Sequence, residues 1–466
     1  MVKKIAFAIM ILMVFVKGAS AEDRIRLDRE AKAAFLNLHF FADGRGMHTA
    51  PGLIKFYESI SGRGVFSDTI RNRWGMNVLD KNKIVGLYNV RYKNMDVGVL
   101  GCVACHSSKA AGQFIVGLGN KRIDVFRVGQ DVLAVQKLYD KVTINKDEEF
   151  VKVEKNAIAF AQHLAVEKIG NLTQGLVPVS FVRGWFYRQA GVPMPENITK
   201  GAVKVPALWG YGIKRQVGQF SDGYGNGILP GWAIAVELTA GQLPETVRGY
   251  LPKVVDAEDA LGHFLPPAYP FAIDQGRAAR GQAVFTKNCQ GCHGTYERDS
   301  QGLPVFKAPR WIPLHMVQTD SDRLESNTPE FNELVKNNPL SDILQHTELG
   351  RGYFAPRLEA VWARFPYLHN ASVPSIAALL TPPHERPQLF ALDDAGEAHR
   401  FDQETLGLTV PAKGSLHEYR LKFRASQSDR AVYNTKHVGQ TAVGHGFGTT
   451  LTAGEKRDLV EYLKTL

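Results

Sequence analysis

The chain has 466 residues, of which 44% are hydrophobic and 22% are charged, and it carries a formal net charge of +10. This length is ample for a hydrophobic core and predicts about two domains. The basic residues are spread along the chain without a Lys/Arg block, which argues against nucleic acid as a partner.

The first 21 residues have the pattern of a secretory signal peptide. A basic start, MVKK, precedes an unbroken apolar run from Ile5 to Val16 and the small residues Ala19 to Ala21. A transmembrane anchor is the alternative, but the run has about 12 residues and a spanning helix needs about 20. We therefore predict a cleaved signal peptide at 1–21, no stable membrane span, a periplasmic or secreted location, and a mature chain that begins near Glu22.

Helical patterns follow in several segments of the chain. Residues 27–41 (LDREAKAAFLNLHFF) and a segment that starts at about Glu148 are predicted helices of the N-terminal half. On the second of these, His163 is expected to be a packing or surface residue rather than a ligand. Residues 277–287 form another predicted helix, which runs directly into a cysteine motif.

All four cysteines belong to two copies of one short pattern, Cys-x-x-Cys-His. The copies comprise Cys102, Cys105 and His106, and Cys289, Cys292 and His293. This pattern is the attachment signature of a c-type haem. Thiols at i and i+3 lie on one side of a helical turn and can reach both vinyl groups of one porphyrin, and the following imidazole becomes the proximal iron ligand. We predict two covalently attached haem c groups, with His106 and His293 as iron ligands.

Zinc, thiol redox and disulfide roles fit the cysteine pattern less well. A zinc site would use the cysteine pairs but would not require the adjacent histidines. A thioredoxin-like motif would not explain the duplicate. Disulfides form in exported proteins, but pairing within each motif would leave no cysteine to link distant segments.

The spacing of the motifs predicts the domain organisation. They lie 187 residues apart, counted from first cysteine to first cysteine, and the proline-rich segment 263–271 separates them. The chain ends in a predicted helix that begins with a capping box of Thr452 and Glu455. We predict an N-terminal haem c domain at 22–271 and a C-terminal cytochrome c-like haem domain at 272–466. The fold class is predicted to be mainly α, with long irregular loops and a few short strands.

One segment carries a resemblance to a known family. Residues 353–383 (YFAPRLEAVWARFPYLHNASVPSIAALLTPP) resemble the region after the second haem motif in bacterial di-haem cytochrome c peroxidases and in the rubber-oxygenase-like di-haem family. KVPALWGYG at 204–212, VQTDSDR at 317–323 and the terminal block that starts with GHGFG resemble the same family. The chain departs from its pattern at Ala371 and Gln318, where glycine is usual.

The resemblance implies further iron and haem contacts in the C-terminal half. His445, in Gly-His-Gly, matches the second axial ligand of the C-terminal haem, and flanking glycines would let the backbone approach a flat ring. His369 is the rival ligand, although its position in the resembling peroxidases favours a hydrogen bond to a haem propionate. Met316 is a third candidate, but a lone methionine is more often a core residue.

Two aromatic residues are candidates for the redox reaction. Trp209 matches a tryptophan that lies between the haems in such proteins and relays electrons; the alternative is an ordinary buried tryptophan. Phe220 is a candidate to cover the open face of the N-terminal haem.

These observations favour an oxidoreductase. Its N-terminal haem would keep an open position for peroxide or dioxygen, and a small organic molecule is a further candidate substrate. Its C-terminal haem would be six-coordinate and transfer electrons, with a small redox protein or a quinol-linked donor or acceptor as partner. The alternatives are an electron carrier with both irons saturated and a di-haem protein that oxidises residues of another protein.

Overall fold

The structure is a computed structural model, and it describes residues 20–79, 83–165, 172–195, 201–211, 238, 240–296, 310–344, 351–410 and 429–466. Most of the predicted signal peptide and Phe220 lie outside the described residues. None of the described helices is both long enough and apolar enough to cross a membrane.

The described part of the chain is dominated by helices joined by long connections. The α-helices are α1 (Ala21–Phe35), α2 (Leu53–Ser61), α3 (Arg63–Asn72), α4 (Val125–Tyr139), α5 (Glu148–Leu164), α6 (Val179–Gln189), α7 (Pro244–Gly249), α8 (Leu251–Gly262), α9 (Gln275–Asn288), α10 (Gln290–His293), α11 (Leu314–Val317), α12 (Asp322–Glu325), α13 (Pro329–Lys336), α14 (Ser341–Leu344), α15 (Ile376–Leu379) and α16 (Ala453–Lys464). Short 3₁₀ helices lie at Cys102–Ala104, Val361–Ala363, Pro383–Glu385, Ala398–Arg400 and Asp429–Ala431.

The strands are short and form two-stranded antiparallel pairs. They are β1 (Phe41–Ala42), β2 (Arg45–Gly46), β3 (Val78–Leu79), β4 (Lys83–Ile84), β5 (Leu87–Tyr92), β6 (Met95–Leu100), β7 (Ser107–Ala110), β8 (Gln113–Val116), β9 (Leu176–Pro178), β10 (Ala202–Lys204), β11 (Trp311–Pro313), β12 (Gly352–Phe354), β13 (Leu389–Ala391), β14 (Phe401–Asp402), β15 (Gly407–Leu408) and β16 (Val432–Asn434). The pairs are β1–β2, β3–β4, β5–β6, β7–β8, β9–β10, β11–β12, β14–β15 and β13–β16. The predicted fold class, mainly α with a few short strands, is confirmed.

The first predicted helix lies further towards the N-terminus than its apolar pattern indicated. Helix α1 starts at Ala21 and ends at Phe35, whereas residues 27–41 were expected to be helical. Ser20 and Asp23 form a capping box, which satisfies free backbone N–H groups and starts the helix earlier. The start of α5 at Glu148 agrees with the prediction, and its His163 is buried, 6% exposed.

Helices α9 and α16 pack against each other in the C-terminal half. The prediction of both helices is confirmed, including the capping box of Thr452 and Glu455. Gly281 lies at the crossing, where a Cβ atom would stand 1.9 Å from the carbonyl oxygen of Asp458, so only glycine allows this approach. Arg280 donates two hydrogen bonds to the Asp458 carboxylate at 2.8 and 3.0 Å across the same contact. The crossing fixes the end of α9, where the second cysteine motif begins.

One hydrophobic core contains residues from both predicted haem domains. Phe35 and Val103 contribute from the N-terminal half, and Phe285 and Trp362 contribute from the C-terminal half. The boundary between residues 271 and 272 remains a prediction. The shared core holds the two cysteine motifs in a defined relation to each other, because interiors of this kind are close-packed.

Candidate functional site

The two Cys-x-x-Cys-His motifs share one backbone hydrogen bond. The His106 N–H donates to the carbonyl of Cys102 at 3.0 Å, and the His293 N–H donates to the carbonyl of Cys289 at 3.0 Å. The first motif is a 3₁₀ turn between β6 and β7, and the second is α10, directly after α9. Each motif therefore forms one helical turn, the arrangement that brings both thiols to one side.

The four motif cysteines, Cys102, Cys105, Cys289 and Cys292, form no disulfide bond. Burial raises the pKa of Cys105 and of Cys289 to about 11. The described residues contain no group of three or more potential metal ligands.

Both motif histidines are oriented by a proline carbonyl. The Nδ1 of His106 lies 3.2 Å from the carbonyl oxygen of Pro206, and the Nδ1 of His293 lies 2.7 Å from that of Pro356. A carbonyl only accepts hydrogen bonds, so Nδ1 carries the proton and Nε2 keeps its lone pair for a metal. Neither proline was predicted from the sequence as a site residue, although each begins a Pro-x-Leu sequence, Pro206 to Leu208 and Pro356 to Leu358.

The structure brings the His445 ring close to the His293 ring. Their ring centres are 6.3 Å apart, with 46° between the ring planes. An iron–imidazole bond is about 2 Å long, so two histidines on opposite sides of one iron place their ring centres about 6–6.5 Å apart. The buried Nδ1 of His445 has no hydrogen-bond partner among the described residues. Burial lowers the pKa of His445 to about 4 and also lowers the pKa of His293, which keeps both imidazoles in the neutral form that binds metals.

A buried arginine holds the Gly-His-Gly loop in place. Arg386, 4% exposed, donates hydrogen bonds to the carbonyls of Ala442 at 2.7 Å, Gly444 at 2.8 Å and His445 at 3.0 Å. Gly444 has a φ of 75°, and a Cβ atom there would stand 2.2 Å from the backbone of Gln318. Of the two glycines, Gly444 thus allows a close approach to backbone, while a Cβ on Gly446 would meet no described atom within 4 Å. Arg386 was not identified from the sequence.

The rival ligands have different surroundings. The ring of His369 stacks on that of Tyr353, with ring centres 5.0 Å apart and 22° between planes, and its carbonyl accepts from the Lys204 N–H at 2.8 Å. Met316 is 49% exposed and lies on the surface of α11. The ring of His445, and not an exposed methionine, lies against His293.

Trp209 is buried between the two segments whose proline carbonyls contact the motif histidines. It is 3% exposed, and its Nε1 donates a hydrogen bond to the carbonyl of Glu359 at 2.9 Å. Trp209 follows Pro206 by three residues, and Glu359 follows Pro356 by three residues. The indole thereby links the segment that orients His106 with the segment that orients His293.

An apolar ring lies near the first motif histidine. Phe35, at the end of α1, has its ring centre 6.5 Å from that of His106, and Phe264 packs edge-on against Phe35 at 5.6 Å. Phe35 was predicted as a helix residue and not as a site residue.

Comparison with known proteins finds a family match in the C-terminal half. Residues 352–391 match the family described as RoxA-like, cytochrome c-like, so a cytochrome c-like domain is present and implies haem c. Two proteins of Sinorhizobium fredii (strain NBRC 101917 / NGR234) are similar to the chain. The uncharacterized protein y4iM is 28% identical over 236 residues, 43% of this chain and 51% of its own length. The uncharacterized protein y4iJ is 28% identical over 270 residues, 45% of this chain and 43% of its own length. The chain thus spans about half the length of the curated relatives it matches.

Proposed function

We propose that the protein is an exported di-haem c-type cytochrome that acts as an oxidoreductase. One haem is attached at each Cys-x-x-Cys-His motif, with His106 and His293 as proximal ligands. The C-terminal haem is six-coordinate and transfers electrons, and the N-terminal haem has an open position for peroxide or dioxygen. The signal-peptide pattern of residues 1–21 supports a periplasmic or secreted location.

The separation of His293 and His445 is the observation that carries this proposal. A ring-centre distance of 6.3 Å supports two axial imidazoles on one iron. An iron saturated in this way favours electron transfer over substrate binding. The geometry therefore supports an electron-transfer role for the C-terminal haem. The reaction with peroxide or dioxygen is then proposed for the N-terminal haem.

The surroundings of His106 support a different role for the N-terminal haem. The apolar ring of Phe35 lies near this histidine, and Phe264 packs against Phe35. Apolar surroundings exclude water and favour a small ligand at an open iron position. The haem, when bound, would supply the oxidising chemistry; Trp209 would connect the two sites. A small redox protein or a quinol-linked donor or acceptor would exchange electrons with the C-terminal haem.

Electron paramagnetic resonance of the ferric protein tests the proposal against an electron carrier. We expect one high-spin and one low-spin haem signal, and cyanide should convert only the high-spin signal. In the reduced protein, carbon monoxide should perturb about one haem equivalent, because the bis-His iron must first lose a ligand. Two low-spin signals and no binding of either ligand would replace the enzyme with a carrier in which both irons are saturated.

A further inference from the structure

Three cationic side chains meet at the junction of the two haem-binding segments without a carboxylate of their own. They are Lys121, Lys204 and Arg364, which we call the buried cation cluster. They line one cavity of about 40 Å³ together with Asn120, Gln174 and apolar and backbone groups. Lys121 is 6% exposed. No described carboxylate forms an ion pair with any of the three.

Contacts to residues 364–366 and to the carbonyl of Lys109 hold the two lysines in place. The Nζ of Lys204 donates to the carbonyls of Arg364 at 2.8 Å and Pro366 at 2.7 Å. The Nζ of Lys121 lies 4.6 Å from the ring centre of Phe365 and donates to the carbonyl of Lys109 at 3.1 Å. The Nε of Arg364 is buried and has no hydrogen-bond partner among the described residues.

Glu359 is the carboxylate that acts on this cluster by its charge, and it already forms an ion pair with another arginine. Glu359 raises the pKa of Arg364 by its charge, although burial has the larger, opposite effect. The carboxylate of Glu359 pairs with Arg357 at 2.5 Å, and it forms no ion pair with Arg364. The cluster is therefore left without a dedicated carboxylate among the residues that the structure describes.

Both histidine sites adjoin this cluster. Lys121 follows Asn120, whose amide donates to the carbonyl of Ala104 within the first motif at 3.0 Å. Lys204 precedes Pro206, the partner of His106, by two residues. The Nη1 of Arg364 donates to the carbonyl of Arg357 at 2.7 Å, and Arg357 follows Pro356, the partner of His293. A negatively charged group bound here would therefore lie between the two motifs.

Isolated cations are costly inside a protein. Removing a charge from water costs several kcal/mol unless an opposite charge compensates it. Burial lowers the pKa of Lys204 to about 7 and lowers that of Lys121 well below its ordinary value. The cavity has room for a small group such as a carboxylate, but not for a whole haem.

We propose that the buried cation cluster binds propionate carboxylates of the attached haems. This inference rests on the proposed function, because it requires haem at the motifs. A haem propionate is a carboxylate carried on a short flexible arm, so it could enter a small cavity while the porphyrin stays outside. Three cations at the junction can take propionates from either haem or from both.

Resonance Raman spectroscopy of the purified holoprotein tests the inference in the Lys121→Met variant. The bending bands of the propionates report their hydrogen bonds and ion pairs, and the high-spin and low-spin haems can be read separately. We expect a shift of these bands for at least one haem, together with a lower melting temperature and a lower midpoint potential of the same haem. Lys121→Arg keeps the charge and should retain the native bands.

Lys146→Met is the matched control, because Lys146 is a partly buried lysine whose partners are protein carboxylates, Glu154 and Asp140. It should lower the melting temperature without moving the propionate bands. If Lys121→Met does not accumulate, Lys204→Met is measured in the same way. The inference would be overturned if the lysine variant carries two haems with unchanged propionate bands. A higher melting temperature of that variant would also overturn it, because the lysine would then be an uncompensated charge. Either result would leave the proposed function intact. The absence of attached haem in the wild-type protein would instead overturn the proposed function.

Discussion

The indole Nε1 of Trp209 donates a 2.9 Å hydrogen bond to the carbonyl oxygen of Glu359, and this bond joins the two segments that orient the motif histidines. Each segment supplies a proline carbonyl to one histidine, Pro206 to His106 and Pro356 to His293. The path from one imidazole to the other therefore runs through short stretches of backbone and one aromatic ring.

This arrangement predicts the behaviour of Trp209→Phe. Phenylalanine keeps an apolar ring but is harder to oxidise, so electron transfer between the haems should slow while both absorption spectra stay native. Rapid-mixing or pulse-radiolysis measurement of interhaem transfer checks this. Trp362→Phe is the matched control, since Trp362 is also buried and donates one hydrogen bond, to Pro267 at 3.2 Å. A native rate in Trp209→Phe, or equal slowing in both variants, would remove the relay role.

The 6.3 Å separation of the His293 and His445 ring centres predicts the spin state of the C-terminal haem. His445→Ala should convert this haem from low-spin to high-spin while the haem stays attached, because water is a weaker ligand than imidazole. His369→Ala, whose ring stacks on Tyr353, should leave the spin state unchanged. Electron paramagnetic resonance and the absorption spectrum measure both variants. The reverse result would assign the ligand to His369.

Arg386 is predicted to control His445 without contacting the iron. Arg386→Met leaves the carbonyls of the Gly-His-Gly loop without their donor, and each unsatisfied buried group costs about 1–3 kcal/mol. We expect a loss of about 3 kcal/mol or more in the free energy of unfolding and a mixed-spin C-terminal haem. Arg351→Met is the control, because the exposed pair of Arg351 with Glu325 is worth about 0–1 kcal/mol. A purely low-spin C-terminal haem in Arg386→Met would contradict this prediction, because it would show that His445 keeps its position without Arg386.

Two residues that stand where the resembling family usually has glycine lie at strained positions. Gln318 has a φ of 55° and Ala371 a φ of 60°, in the left-handed region that favours glycine. This conformation costs a non-glycine residue about 1–2 kcal/mol, and the greater freedom of glycine in the unfolded chain offsets about half of that. Gln318→Gly should therefore raise the free energy of unfolding by up to about 1 kcal/mol. Ala283→Gly, in helix α9, is the control and should lower the free energy of unfolding by about 0.5–1 kcal/mol. Denaturant unfolding measures both variants. If Gln318→Gly also destabilises the protein, the backbone at Gln318 is not strained.

Local patterns predicted the motifs, the mainly helical fold and the helices α5, α9 and α16, because their signals lie within a few residues of each other. The long-range partners were beyond such patterns. Pro206 lies 100 residues from His106, and Arg386 lies 59 residues from His445. The start of α1 was missed because its capping box lies before the apolar pattern. Phe220 and the signal peptide stay predictions.

The intact mass of the denatured protein, purified from cells with working haem-attachment machinery, tests the central claim most directly. Thioether bonds survive boiling in detergent, whereas a haem held by coordination alone is lost. We expect a chain that begins near Glu22 and carries the mass of two haems, one attached through Cys102 and Cys105 and one through Cys289 and Cys292. A single added haem, or an unmodified chain, would contradict the claim.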